Sequence, residues 1–491
     1  MSSQSNPSPA LSSADVAAAP ATVFRGGTVL TMDAAGTVLT DADVLVVGDK
    51  VEAVGPALEV PDGTAEIDAS GGIVMPGMVD THRHMWQTAM RGYGADWTLT
   101  QYFVWNYLEH GKHFRPEDIY TGNLLSALDS LEAGVTTSVD WSHGLQSVAH
   151  GEAALSALEE VPGRFVLAYG NIHAGPWEWA DSAEFQSFAR RVIDGGKVGF
   201  QMAFDVTGDP EFPERRAFEV ARELGTTVTT HAGVWGATND SGIKLMHENG
   251  FMTPGTVYVH AATLTDDSYQ RIAATGGVAS VSAESESSCG QGYPSSWALR
   301  RHGIPISLSV DTSVWWSGDG FSAMRSTLSA DRAREHDLAH VDGETITNVS
   351  LRASDVVGWA TRGGAEALGL GDEIGSLEPG KQADVVLIKN DASPTMFPLL
   401  NPYGHVVFQA QRGDVDTVLV RGRLVKHQHR LVDADLARAR AAVEDTVAHL
   451  TEQLGEEGWR AGMTPEIPES KVLDNPYTYT EYRDAGTHAR A

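Results

Sequence analysis

His82 and His84 stand two residues apart in Asp80-Thr-His-Arg-His84, at the end of an apolar run. Along an extended strand, residues two apart face the same way, so both imidazoles can address one metal ion. His231, His260 and Asp311 each close an apolar, β-rich run of their own. Together His82, His84, His231 and Asp311 offer three nitrogens and one oxygen with room left for water, the make-up of a catalytic rather than a closed structural site. A metal held there lowers the pKa of its water towards neutrality and supplies hydroxide. Asp311 then both touches the metal and accepts the water's proton. His260 hydrogen-bonds or polarises the atom on which negative charge develops, with direct ligation as its alternative role.

Such a convergence needs elements that bring strand ends together. Runs at 72–84, 134–140, 164–173, 197–205, 226–231, 256–260, 277–282 and 304–311 alternate with longer amphipathic segments such as 116–134 and 213–225. This alternation predicts an α/β fold, a (β/α)₈ TIM barrel over 69–379, with its site at the strand C-terminal ends. An open doubly wound sheet is the alternative. Short β-runs in 22–68 and 380–430 predict a small β-sandwich built from both ends of the chain. Residues 1–21 read as a disordered N-terminal arm, and 431–491 as a helix and a polar tail.

Composition narrows the function from outside. Against 35 Lys and Arg stand 65 Asp and Glu, a formal charge of −30, which repels nucleic-acid phosphates and anionic lipid. The single cysteine, Cys289, excludes an internal disulfide and any zinc site of several thiolates,. Neither a secretory leader nor a run approaching the ~20 apolar residues of a membrane span is found. The expectation is a cytoplasmic protein without nucleic-acid or membrane partners, acting on a small molecule as a homodimer or higher homo-oligomer.

The motifs resemble those of the amidohydrolase superfamily, in its cytosine deaminase and triazine hydrolase branch. The similarity rests on Val74-Met-Pro-Gly-Met-Val-Asp-Thr-His-Arg-His84, Val228-Thr-Thr-His231, Val259-His-Ala-Ala-Thr-Leu264 and Ser309-Val-Asp311. Gly375-Ser-Leu-Glu-Pro-Gly-Lys-Gln-Ala-Asp-Val-Val386 is similar to the stretch where that family's chain re-enters its β-sandwich. The resemblance implies one divalent ion, Zn²⁺ first and Fe²⁺ second, and hydrolysis of non-peptide C–N bonds in nitrogen heterocycles and amides. The expected enzyme is an aminohydrolase acting on a planar nitrogen-containing molecule; a cyclic amide hydrolase or a dehalogenating hydrolase is the alternative. A barrel that has lost catalysis is the rival outside enzymes, and the intact ligand set argues against it.

Two departures from that family are visible. Its deaminases place Glu three residues after the fifth-strand His as a proton shuttle, where this chain has Val234. Glu284 and Glu286, after the seventh run, are the candidate replacements, with Glu284 preferred. The Lys that bridges two metals in binuclear relatives is missing where the fourth run ends, at Asp205, so one metal is favoured.

Seven of 12 Trp fall near predicted strand ends, among them Trp86, Trp141, Trp177, Trp179, Trp235 and Trp315. Aromatic walls suit a flat substrate. Trp86, Trp235, Trp315, His173 and Gln87 are the expected substrate contacts, and the resemblance implies that Gln87, just beyond the His-Arg-His motif, hydrogen-bonds the substrate ring. Segment 97–114 is aromatic-rich and reads as a lid, a subunit contact or a buried helix face.

Overall fold

In this computed structural model residues 11–171, 177–234 and 237–467 are described. The apolar run that begins at Gly72 serves two sheets. Ile73–Pro76 joins a sheet built from the chain ends, and Met78–Arg83 is the first strand of the barrel. Gly77 makes the crossing possible, because a Cβ there would lie 2.1 Å from the Thr136 hydroxyl oxygen, a distance that only a residue without a side chain tolerates.

The barrel strands are Met78–Arg83, Val135–Ser142, Arg164–Tyr169, Gly199–Ala203, Val228–Ala232, Val257–His260, Val278–Val281 and Ile306–Leu308. They pair in parallel and in sequence order as one eight-stranded sheet. A parallel bridge between Arg83 and Asp311, with His84 N–H donating to the Asp311 carbonyl (2.7 Å) and Asp311 N–H to that of His82 (3.1 Å), closes the first edge on the last. The expected (β/α)₈ barrel is therefore present, and its seam runs through the two motifs that carry metal-ligand chemistry.

Helices return the chain between strands, as the amphipathic segments require. Pro116–Glu132 starts with Pro in its first turn, and Arg215–Leu224 stops at Gly225, whose φ of 68° is the left-handed C-terminal conformation glycine adopts most easily,. The second sheet has nine strands drawn from 21–76 and 385–431. Its core mixes both chain ends: Phe24, Val44 and Val74 pack with Val385, Leu387 and Leu419. Within the stretch expected to be a disordered arm, Ser13–Ala18 forms a helix capped by Ser12, with Val16 buried, and the first strand begins at Ala21. Leu436–Ala461 is the expected C-terminal helix, interrupted at Gly455. Among the described residues no helix is long and apolar enough to cross a membrane.

Candidate active site

At the C-terminal mouth of the barrel the predicted ligands meet. His82 Nε2 and His84 Nε2 each lie 3.3 Å from Asp311 Oδ1. Donor atoms of His82, His84 and Asp311 lie within 4.8 Å of one another, as do those of His82, His231 and His260.

Three of the four imidazoles are turned by a bond at Nδ1. His84 Nδ1 pairs with the Trp141 carbonyl (2.8 Å), His231 Nδ1 with Asp205 Oδ1 (2.8 Å) and His260 Nδ1 with Glu286 Oε1 (3.2 Å). Each bond fixes the ring and leaves Nε2 as the free coordinating nitrogen. His260 Nε2 is buried and has no hydrogen-bond partner. A buried polar nitrogen in that state costs free energy unless something binds it, whether a cation or a polar atom of a substrate; the converging imidazole nitrogens and the Asp311 carboxylate beside it are a donor set that fits a cation.

Electrostatics favour the same reading. Burial pushes the imidazoles of His82 and His84 down, His84 to about 4, with neighbouring imidazoles adding to the effect; both are neutral, the form that binds metal. Burial alone would raise the Asp311 carboxyl. The His82 hydrogen bond and the fields of His84 and His260 overcome this and hold it well below the usual carboxylate range. The Ser285 hydroxyl donates to Asp311 Oδ2.

The backbone is bent to aim these groups. His260 has φ 68° and Asp311 φ 62°, both left-handed, a conformation costing on the order of 1–3 kcal/mol each and held only by its surroundings. Ser295 Oγ donates to the His260 carbonyl (2.5 Å) and the Tyr269 hydroxyl to that of Ala261 (2.7 Å), which secures the turn after the sixth strand.

The other predicted site residues divide sharply. Trp315 lines the pocket over the cluster, together with Leu99, Tyr102, Phe103 and Tyr107 from the aromatic segment, so that segment is a wall of the site. Gln87 is fully buried and does not line it: its Nε2 donates to the Tyr102 hydroxyl (2.6 Å) and its Oε1 accepts from Thr312 (2.9 Å). Trp86 is likewise fully buried, edge-on to Phe114 and behind His143. These two lie behind the wall of the pocket and do not line it. Glu284 turns away from the cluster to the hydroxyls of Ser317 (3.2 Å) and Ser322, a placement that does not suit a proton shuttle. Glu286 sits behind His260. His173 and Trp235 lie outside the described residues. Val234 does line the pocket, and Asp205 and Asp311 are the carboxylates on its wall among the described residues.

Sequence reasoning missed Ser285, Tyr102 and the orienting role of Asp205. Asp205 had a signal, as the carboxylate that ends the fourth run, and Tyr102 only that of the aromatic segment 97–114 as a whole; Ser285 had none.

A closed parallel barrel with an imidazole and carboxylate cluster at its mouth defines a metallohydrolase. The amidohydrolase family model matches residues 73–425, and the chain belongs to that family. It is a metal-dependent hydrolase acting on carbon–nitrogen bonds. Among curated proteins it is similar to the 5-methylthioadenosine/S-adenosylhomocysteine deaminases of Symbiobacterium thermophilum, 29% identical over 88% of this chain and 99% of that protein, and of Pelotomaculum thermopropionicum, 26% identical over 87% and 98%. Among solved structures, an adenosine deaminase from Xanthomonas campestris with bound zinc aligns with a TM-score of 0.75 at 22% identity, covering 88% of this chain and 98% of the other. The zinc-complexed atrazine chlorohydrolase of Arthrobacter aurescens aligns with a TM-score of 0.72 at 21% identity, covering 87% and 100%.

Proposed function

We propose that this chain is a zinc-dependent deaminase of a planar heteroaromatic amine, with His82, His84, His231 and Asp311 as the ligands. The observation that carries the reading is the convergence of His82, His84, His231 and Asp311 beneath an aromatic pocket, with the buried, unpartnered Nε2 of His260 beside them and open to a reacting atom. A divalent cation in this donor set supplies a water of lowered pKa and polarises the carbon under attack.

The chain's own groups do the rest. Asp311, ionised and oriented by Ser285, receives the proton that leaves the attacking water,. As the C–O bond forms, His260 Nε2 faces the atom that gains negative charge, its ring held by Glu286,. The proton on Asp311 then passes to the departing nitrogen as the C–N bond breaks, so one water is consumed and one ammonia released. Neither Val234 nor Glu284 can serve this transfer, the first for lack of a proton and the second for its direction. The deaminase names of the curated relatives support an exocyclic amino group as the one removed.

Val234 also favours a second reading, displacement of a halide, which leaves without a proton, with hydrolysis of a cyclic amide as its neighbour in the same family,. The test is metal analysis of the purified protein with an ammonia assay over heterocyclic amines, cyclic amides and halides. Stoichiometric zinc with ammonia release is expected. Halide release or ring opening without ammonia selects the second reading, and a protein that never holds metal overturns both. The reading includes a cytoplasmic setting, which the single buried cysteine supports, and a homo-oligomeric state, which light scattering on the same preparation tests.

A further inference from the structure

Beside the metal-ligand cluster, space is divided unequally. The pocket bounded by His84, His231, His260 and Asp311 has a volume of about 40 Å³, enough for water and a small substituent. A second chamber of about 170 Å³ adjoins it. Phe103, Tyr107, His143 and Asp205 line both. An engineered cavity of roughly 150 Å³ holds benzene, so the second chamber and not the first has the size of a six-membered ring.

Its walls have the matching chemistry. Trp141, Trp177, Trp179 and Phe204 add to the shared Phe103 and Tyr107, and such faces suit a flat ring by stacking and area burial. Trp177 is fixed in place by its Nε1–H, which donates to the Asp205 carbonyl (3.0 Å). Among the described residues the charged group on the wall is the carboxylate of Asp205, with no Lys or Arg. A carboxylate or phosphate brought into this chamber meets the like charge of Asp205 and, among the described residues, no Lys or Arg to pair with, and so lacks a side-chain partner for the water it loses,.

We propose that the substrate's ring occupies this second chamber, between the third- and fourth-strand ends and Trp177. The edge bearing the reacting C–N bond is turned past Tyr107 and Asp205 towards the metal ligands, and rings carrying an anionic substituent are excluded. The proposal rests on the deaminase reading for its C–N bond. It differs from the sequence expectation in placing the ring against Trp177 and Trp179, away from Trp86 and Gln87, with Trp315 over the smaller pocket.

The test uses the full-length, zinc-loaded protein and two probes, an uncharged aminopyrimidine and its carboxylate-bearing counterpart, with binding measured by calorimetry and ammonia release assayed separately. Loss of a stacking partner weakens binding of a flat ring by about tenfold or more. Trp177→Ala is therefore expected to weaken the uncharged probe by about that factor. Trp177→Phe, which keeps a stacking face but loses the bond to Asp205, stays within about threefold, and Trp315→Ala costs less than Trp177→Ala. The carboxylate-bearing probe binds the wild type at least about tenfold more weakly than the uncharged one. Zinc content measured on each variant shows whether the Asp205–His231 pair has been disturbed. The proposal is overturned if the uncharged probe does not bind, if Trp177→Ala binds it as the wild type does, if Trp315→Ala is the more damaging change, or if the carboxylate-bearing probe binds equally well. Binding that depends on Trp177 without any ammonia release overturns the deaminase reading and leaves the ring's location standing.

Discussion

Asp205 Oδ1 lies 2.8 Å from His231 Nδ1 and also accepts the His231 backbone N–H at 3.2 Å. One carboxylate oxygen, two residues beyond the end of the neighbouring strand, thus fixes both the ring and the main chain of a proposed metal ligand. Removing such a partner typically weakens metal binding about 10- to 100-fold. Asp205→Asn is expected to lose zinc to a chelator within that range while unfolding at nearly the wild-type temperature. Unchanged zinc affinity would show that His231 is held by other contacts.

Glu284 and Glu286 provide a paired comparison. Burial raises the Glu286 carboxyl and its bond with His260 opposes this, so the pair is buried and coupled. Glu286→Gln loosens the ring whose Nε2 faces the reacting atoms, and kcat is expected to fall about 10- to 100-fold with KM little changed, since general acid–base and electrostatic help of this kind is worth about 10²–10⁴ when lost entirely. Glu284→Gln is expected to turn over within about threefold of wild type. The reverse ranking in steady-state kinetics would return the shuttle to Glu284.

These two residues also mark where the sequence stopped being informative. The strand-end positions of His82, His84, His231, His260 and Asp311 were legible because barrel strands repeat at a readable period and their ends are geometrically equivalent. Glu284 and Glu286 sit in what reads as a loop, yet Ala283–Cys289 is a helix. Residues two apart on a helix face different sides, which sends one carboxylate to His260 and the other to Ser322. Gln87 misled for a related reason. Its position beside the metal motif was visible, but the claims on both ends of its amide, by Tyr102 and Thr312, depend on residues 15 and 225 positions away. The run 72–84 read as one strand because its apolar character does not reveal that Gly77 divides it between two sheets.

Asp140, fully buried in the second strand, accepts from the Met85 N–H (3.2 Å) and from Asn123 Nδ2 (2.7 Å). Burial pushes its carboxyl up from 3.8 to about 7. With the folded pKa above the unfolded one, the folded state holds the extra proton between pH 3.8 and about 7, so this group's contribution to stability is full below that window and is lost as pH rises through it. At about 1.4 kcal/mol per pKa unit the loss is on the order of a few kcal/mol. Asp140→Asn keeps an oxygen for the Met85 N–H and carries no charge. Its melting temperature relative to wild type is expected to rise between pH 5 and 8, and a constant difference across that range would refute the assignment.

The end of the C-terminal helix and the residues just after it brace the wall of the pocket. The Tyr93 hydroxyl donates to the Trp459 carbonyl, Trp97 Nε1 to that of Gly462 (2.9 Å) and Gln101 Nε2 to that of Pro465 (2.8 Å). Between and just beyond these anchors lie Leu99, Tyr102, Phe103 and Tyr107, the residues that face the cluster. Tyr102–His110 is wound as a π-helix, an uncommon form found mostly at functional sites; here it carries Tyr102 and Tyr107 into one pocket with rings only 12° apart. Each hydrogen bond to a C-terminal carbonyl contributes about 1 kcal/mol. Gln101→Ala combined with Trp97→Phe is therefore expected to raise KM by about tenfold or more, because the wall is no longer held where substrate packs, while zinc content and kcat change little. A fall in kcat at constant KM would mean that the brace acts on the reacting groups themselves and not on the wall.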